Sequence, residues 1–133
     1  MEAHVNWLAV LVAGISAFVI GGIWYSQTLF GKTWMKENNI TVEQLQKSNK
    51  GKVYGIAFLL TMVISINLAM FLSGAEINFK MGLLYGFLTG VWIFCGIAIV
   101  ALFEQKSGKY IFINGGYMLA ALSLMGVIIG IWK

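Results

Sequence analysis

The placement of charge constrains this chain more than any other feature of its sequence. Its 133 residues include nine Lys and five Asp or Glu. Each of these lies near one end of the chain or in one of three clusters, residues 32–52, 76–80 and 104–109. Four uncharged stretches remain, residues 5–25, 53–73, 81–103 and 111–132. Each is long enough to cross the hydrocarbon core of a bilayer, which takes about 20 helical residues.

A soluble helical bundle is the first alternative for these stretches. Soluble helices normally keep a polar face, and these stretches have none. Only 11% of the chain is charged, against about 25% in soluble domains. A cleaved signal peptide would need a basic segment before the first stretch, and the sequence has none there. We therefore predict an all-α membrane protein, a single domain over residues 1–133 with four transmembrane helices in a compact bundle.

Lysine counts predict the orientation of this bundle. The first and third loops lie on one side and carry seven Lys, whereas the opposite side carries two. Because short cytoplasmic loops are enriched in Lys and Arg, we predict both termini outside and loop 26–52 in the cytoplasm. We expect a short interfacial or cytoplasmic helical segment within this loop, with Thr41 and Gln44 forming a capping box. Its lysines favour contact with membrane lipids. Nucleic-acid binding is not expected, because acidic residues dilute the positive charge.

Small residues recur every four positions on three of the predicted helices, the last of which carries Gly126 and Gly130. Such stripes let helix backbones approach closely in lipid. They serve contacts either within the bundle or between copies, and the sequence leaves both open. We predict a homo-oligomer through the third helix, with packing of that helix on the first as the alternative. The candidate packing positions are Gly82, Gly86 and Gly90 on the third helix, and Ala13, Ala17 and Gly21 on the first.

Uncharged polar side chains in or near the spans are the candidate interhelical contacts. An asparagine in a membrane helix should face a neighbouring helix or a wet cavity. Asn6 is separated from Ser26 and Asn114 by the length of a span, roughly 30 Å, so we predict two clusters. In the cytoplasmic cluster, Asn114 should bond to backbone or to Ser26. Asn67 lies on a different helix face from Ser65, which predicts polar partners on two sides of that helix. The full candidate set is Asn6, Ser26, Asn67, Asn114 and Tyr117.

Catalytic and metal-binding chemistry has little support in the sequence. The chain has one His and one Cys, so the usual zinc clusters are not expected. The only candidate groups for an intramembrane enzyme are His4, Cys95 and Tyr117. We predict no catalytic residue, no metal site and no cofactor. No Asp or Glu lies inside a span, which disfavours proton-coupled cation export.

Two segments resemble a known family. They are Asn6-Trp7-Leu8-Ala9-Val10 with Trp24-Tyr25-Ser26, Leu29-Phe30-Gly31-Lys32 and Trp34, and the closing Ile113-Asn114-Gly115-Gly116-Tyr117. They are similar to the bacterial membrane family called domain of unknown function 1761. The resemblance implies a multi-pass protein of the bacterial cytoplasmic membrane with no assigned activity. The chain departs from it at Gln27, where proline is frequent, and at Met118, where histidine is frequent.

Two functions therefore remain in view. The first is a structural, assembly or accessory role exerted through helix–helix contacts, in a homo-oligomer or with another membrane protein. The alternative is an oligomeric transporter or channel for a small uncharged or weakly polar solute. Such a solute would follow a path lined by Asn, Ser and Thr side chains.

Overall fold

The structure, a computed structural model, describes residues 5–74 and 76–132. These residues form six helices and no strand. In chain order the helices are α1 (Trp7–Trp24), α2 (Gly31–Glu37), α3 (Val42–Lys47), α4 (Lys50–Phe71), α5 (Phe79–Phe103) and α6 (Gly108–Ile131). By length and composition, α1, α4, α5 and α6 could each cross a membrane. The predicted all-α fold with four candidate spans is confirmed.

Polar caps explain where the four long helices begin. The side chains of Asn6, Asn49, Asn78 and Ser107 each accept a hydrogen bond from a backbone N–H of the first turn, which satisfies donors that would otherwise lack a partner. The Asn49 cap starts α4 at Lys50, three residues before the predicted span. The capping box of Thr41 and Gln44 at the start of α3 is also confirmed.

The long helices lie side by side in the order α4, α1, α6, α5. α6 packs on α1 and α5, α1 packs on α4, and α5 packs chiefly on α6. We call the end of the bundle that carries loop 26–52 the lysine-rich end, and the other the opposite end. The core lies nearer the opposite end, where Leu68 and Leu72 of the α4 segment join Val10 of α1 and Met125 of α6.

The lysine-rich half of α4 lies apart from the other helices. Residues 50–56 are all exposed, and a Cβ built at Gly55 would meet no atom within 4 Å. A narrow groove therefore opens between α4 and α6 as the two helices diverge, and α1 lies at its base.

The glycine stripe of α5 packs on α6. A Cβ at Gly86 would meet the backbone of Leu122 and Ser123, and a Cβ at Gly82 would meet the backbone of Gly126. Gly90 approaches α6 in the same way. The glycine face of α5 was predicted to contact a second copy of the chain or, as the alternative, α1. Both predictions are corrected, because this face contacts α6. The physical reason is that α6 carries its own closely spaced glycines, so two backbones meet without intervening side chains.

The small residues of α1 also lie within the bundle. Ala13 and Ala17 are almost completely buried in the shared core. Gly21 lies beside the ring of Tyr117, where a Cβ would stand 3.3 Å from the phenol oxygen. The stripe on α1 thus accommodates neighbours within the same chain.

Candidate functional site

At the opposite end, Asn6 joins the start of α1 to the end of α6. Its side-chain oxygen accepts hydrogen bonds from the backbone N–H groups of Leu8 and Ala9, at 3.1 and 3.2 Å. Its Nδ2 donates to the carbonyl oxygen of Trp132 at 3.2 Å. One amide therefore caps α1 and ties it to α6.

At the lysine-rich end, a second polar cluster joins α1 to α6. The Tyr25 hydroxyl donates to Oδ1 of Asn114 at 2.7 Å, and Nε1 of Trp24 donates to the carbonyl oxygen of Ile113 at 2.8 Å. The expected partner of Asn114, backbone or Ser26, is corrected to Tyr25. Ser26 instead donates to the carbonyl oxygen of Ile23 at 2.7 Å, because a short hydroxyl side chain bonds readily to its own preceding turn.

Aromatic rings surround this cluster and attach α2 to it. Phe30, just before α2, has its ring centroid 4.9 Å from that of Trp24 and 6.1 Å from that of Phe112 on α6. Tyr25 meets Trp34 of α2 in an edge-to-face contact at 5.7 Å. Most of these rings belong to the sequence segments that carry the family resemblance. The sequence does not reveal that these rings hold α1, α2 and α6 together, because the contacts join residues that are distant in the chain.

Gly31 lets the start of α2 lie close enough to the end of α1 for these ring contacts to form. It is buried, and a Cβ there would meet the backbone carbonyl oxygens of Tyr25 and Ser26. The backbone N–H of Gly31 also donates to the carbonyl oxygen of Ser26 at 2.9 Å. Any larger residue at this position would push α2 away from the end of α1.

Two hydroxyl groups link helices inside the bundle. Tyr117 of α6 donates to the carbonyl oxygen of Ala17 at 2.9 Å, and its ring lies 5.5 Å from that of Tyr25. Ser65 of α4 is completely buried and donates to the carbonyl oxygen of Val10 at 2.8 Å. Sequence reasoning did not single out Ser65, because serine in a membrane helix usually bonds to its own helix. The hydroxyls of Ser16, Thr61, Thr89 and Ser123 do so.

Asn67 differs from the other polar side chains of the spans. It is exposed on the outward face of α4, and no hydrogen bond joins its amide to the described residues. The opposite face of the same helix is occupied by α1 through Ser65. Of the two polar sides predicted for this helix, one has its partner within the chain and the other faces outward.

The groove between α4 and α6 is apolar. Its volume is about 210 Å³, and its walls include Ala57, Leu60 and Ile64 of α4 and Met118 of α6. Two hydroxyls also border it, those of Thr61 and Tyr117, and both are already bonded to backbone carbonyls. The groove thus offers methyl and methylene groups, with no polar group left over for a polar ligand.

The described residues contain no group of three or more His, Cys, Asp or Glu side chains able to hold a metal ion. Cys95 is exposed on α5. His4 lies outside the described residues. The side chains of the two polar clusters thus make contacts between α1 and α6.

A family model described as "Protein of unknown function (DUF1761)" matches residues 8–130. The match covers most of both segments that carried the resemblance, which is confirmed. No curated protein and no solved structure matches the chain.

Proposed function

Because the chain belongs to the DUF1761 family, whose description names no activity, we propose a function from its own contacts. The protein acts as a membrane-embedded assembly or accessory subunit through helix–helix contacts. It self-associates through the outward face of α4, with Asn67 at the contact. The exposed amide of Asn67 is the observation that carries this proposal.

The depth of Asn67 in the bilayer argues that it needs a partner. It lies four residues before the end of α4 at Phe71, about 6 Å along the helix axis. The residues between them are apolar, so the amide lies within the hydrocarbon layer. An amide without a hydrogen bond there costs about 4–8 kcal/mol on a water-to-cyclohexane scale. A second membrane helix supplies the missing donor and acceptor.

The surroundings of Asn67 fit a helix-pairing seam. Ile56, Val63 and Met70 are exposed on the same face and are spaced seven residues apart, with Asn67 between the last two. Spacings of four and three residues along one face are those of a coiled-coil seam, where a single asparagine sets register. Two copies meeting at this seam would pair Asn67 with the same residue of the partner.

A solute pathway has less support. The hydroxyls at the groove between α4 and α6 are bonded to backbone within the chain. Nothing else in the described spans lines a polar route with unpaired groups. The transporter alternative would need polar side chains that are free to exchange partners with a solute.

Energy transfer between labelled copies in liposomes tests the self-association. Cys95, the single cysteine of the sequence, lies within the long apolar helix α5, so it is replaced by Ser. Gln46→Cys, at an exposed position of the lysine-rich loop, then carries the donor and acceptor dyes. Asn67→Leu should lower the association constant roughly 5- to 150-fold, which corresponds to about 1–3 kcal/mol. This range follows from two interhelical amide bonds of about 0.6–1.7 kcal/mol each.

A relocated asparagine provides the matched control. In the Asn67→Leu background, Val63→Asn places an amide one turn away on the same face and should restore association. Leu84→Asn places it on the exposed face of α5 and should not restore it. Equal association of wild type and Asn67→Leu would contradict the proposal, and so would equal rescue by both relocated asparagines.

A further inference from the structure

We propose that the groove between α4 and α6 is a binding site for one acyl chain of an anionic phospholipid from the leaflet at the lysine-rich end. The phosphate of this lipid would lie against Lys50. The proposal does not rest on self-association, because the groove is formed by α4, α1 and α6 of a single chain. Leu60 is the groove wall nearest to the seam of Asn67, about 20° from it around the helix.

The chemistry of the groove selects a hydrocarbon chain. Its walls are apolar, and the hydroxyls of Thr61 and Tyr117 are bonded within the chain. Water in such a groove would find no partners, because a stable water needs two to four polar groups. A lipid tail gives up no hydrogen bond by entering the groove and gains contact with three helices.

The distance from Lys50 to the far end of the groove matches the thickness of one leaflet. Ala57 lies seven residues from Lys50, and Ile64 lies fourteen residues from it, which is about 10 and 21 Å along the helix axis. A leaflet with its headgroups is about 20 Å thick, half of the total of about 40–45 Å. A phospholipid whose phosphate meets Lys50 would therefore carry its tail along the whole groove.

Charge at the mouth of the groove selects an anionic headgroup. Lys50 is exposed, and no ion pair joins it to the described residues. Seven residues separate Lys50 from Ala57, so the two positions lie within about 20° of each other around the helix. Lys52 is also exposed, but it lies about 160° from Lys50 and points away from the groove.

The test compares retention of two lipids by the purified protein. The chain, in a mild detergent, receives phosphatidylglycerol or phosphatidylcholine of the same chain length, and native mass spectrometry counts the lipids bound. Wild type should retain phosphatidylglycerol in preference to phosphatidylcholine. Lys50→Gln should lower phosphatidylglycerol binding about fivefold, the effect of one lysine at an anionic surface. Lys52→Gln removes the same charge from another face and should leave binding unchanged.

A second pair of variants tests the groove itself. Ala57→Leu fills the groove and should lower retention of both lipids, whereas Gly55→Leu adds similar bulk where no atom lies within 4 Å and should not. Equal retention by Ala57→Leu and Gly55→Leu would overturn the acyl-chain site. Equal losses from the two lysine variants would show diffuse attraction to the lysine-rich surface and would also overturn the proposal. If Ala57→Leu does not fold, the lysine pair decides, because both lysines are exposed and unpacked.

Discussion

The close contact between α5 and α6 makes a quantitative prediction about one glycine. Gly86 of α5 faces α6, and a Cβ at this position would lie 3.1 Å from the carbonyl carbon of Leu122 and 3.2 Å from Cα of Ser123. It would lie closer still to the carbonyl oxygen of Leu122. All three atoms belong to backbone, so no side chain can turn away, and Gly86→Ala must push the two helices apart.

The cost follows from the size of that displacement. Carbon atoms pack best at about 3.5–4.0 Å, and a gap of about 0.5–1 Å removes a quarter to a half of each contact that it opens. Overpacking of well-fitted interfaces costs about 1–3 kcal/mol. Since α5 packs chiefly on α6, it has little other contact to compensate. We expect Gly86→Ala to lower the free energy of unfolding by about 2 kcal/mol relative to its control.

The control is Gly96→Ala on the same helix. A Cβ at Gly96 would meet nothing within 4 Å. Both substitutions gain the same backbone benefit, about 1 kcal/mol for Ala over Gly inside a helix, so the difference between them isolates the steric cost. The measurement is unfolding by added sodium dodecyl sulfate in mixed micelles, followed by circular dichroism.

Two results would refute this reasoning. The first is a difference of less than about 0.5 kcal/mol between the two variants, since the expected cost is several times larger. The second is a change in oligomer size on Gly86→Ala with no loss of stability, because that would place the glycine face against a second copy rather than against α6.

Three further predictions concern other contacts. Ser65→Ala removes the buried hydroxyl that bonds to Val10 and should lower the free energy of unfolding by about 0.5–1.5 kcal/mol, as measured in the same assay; no loss would mean that this bond adds nothing. Tyr25→Phe removes the hydroxyl that bonds to Asn114 of α6 and should lower the free energy of unfolding by about 1 kcal/mol. Protease cleavage of loop 26–52 in detergent should also become faster. Unchanged cleavage would mean that this hydrogen bond does not hold the loop in place. In a cysteine-free background, an impermeant thiol reagent applied to intact cells should label a cysteine at position 78 and not one at position 49, because the lysine-rich loops are predicted to be cytoplasmic; labelling at 49 would reverse the orientation.

The outline of the fold could be predicted because it depends on local properties of the chain. A run of about 20 uncharged apolar residues must be helical in a bilayer, since every backbone polar group needs a partner inside its own segment. The caps at the starts of α3 and α4 act over a few residues, and Thr41 with Gln44 was predictable for that reason. The family resemblance likewise rested on contiguous segments.

The pairing of helices could not be predicted in the same way. Glycines on three of the predicted helices each allow another helix backbone to approach closely. The sequence does not indicate which helix that is. The structure assigns Gly82 and Gly86 to α6, whereas the sequence favoured a second copy. Ser65 shows the same limit, because its hydroxyl could bond to its own helix or to another one.

The sequence by itself determined that this chain forms four helices long and apolar enough to span a membrane, and it determined their approximate bounds and the family. Those properties follow from hydrophobicity, charge and capping, each of which acts within a helix or at its ends. Only the tertiary structure decided which polar groups are hydrogen-bonded inside the bundle. It also decided that the amide of Asn67 faces outward and that a groove opens beside Ala57. These depend on the relative position and rotation of helices distant in sequence, and many arrangements satisfy the same hydrophobic pattern, because lipid tails are as apolar as the helix faces that they cover.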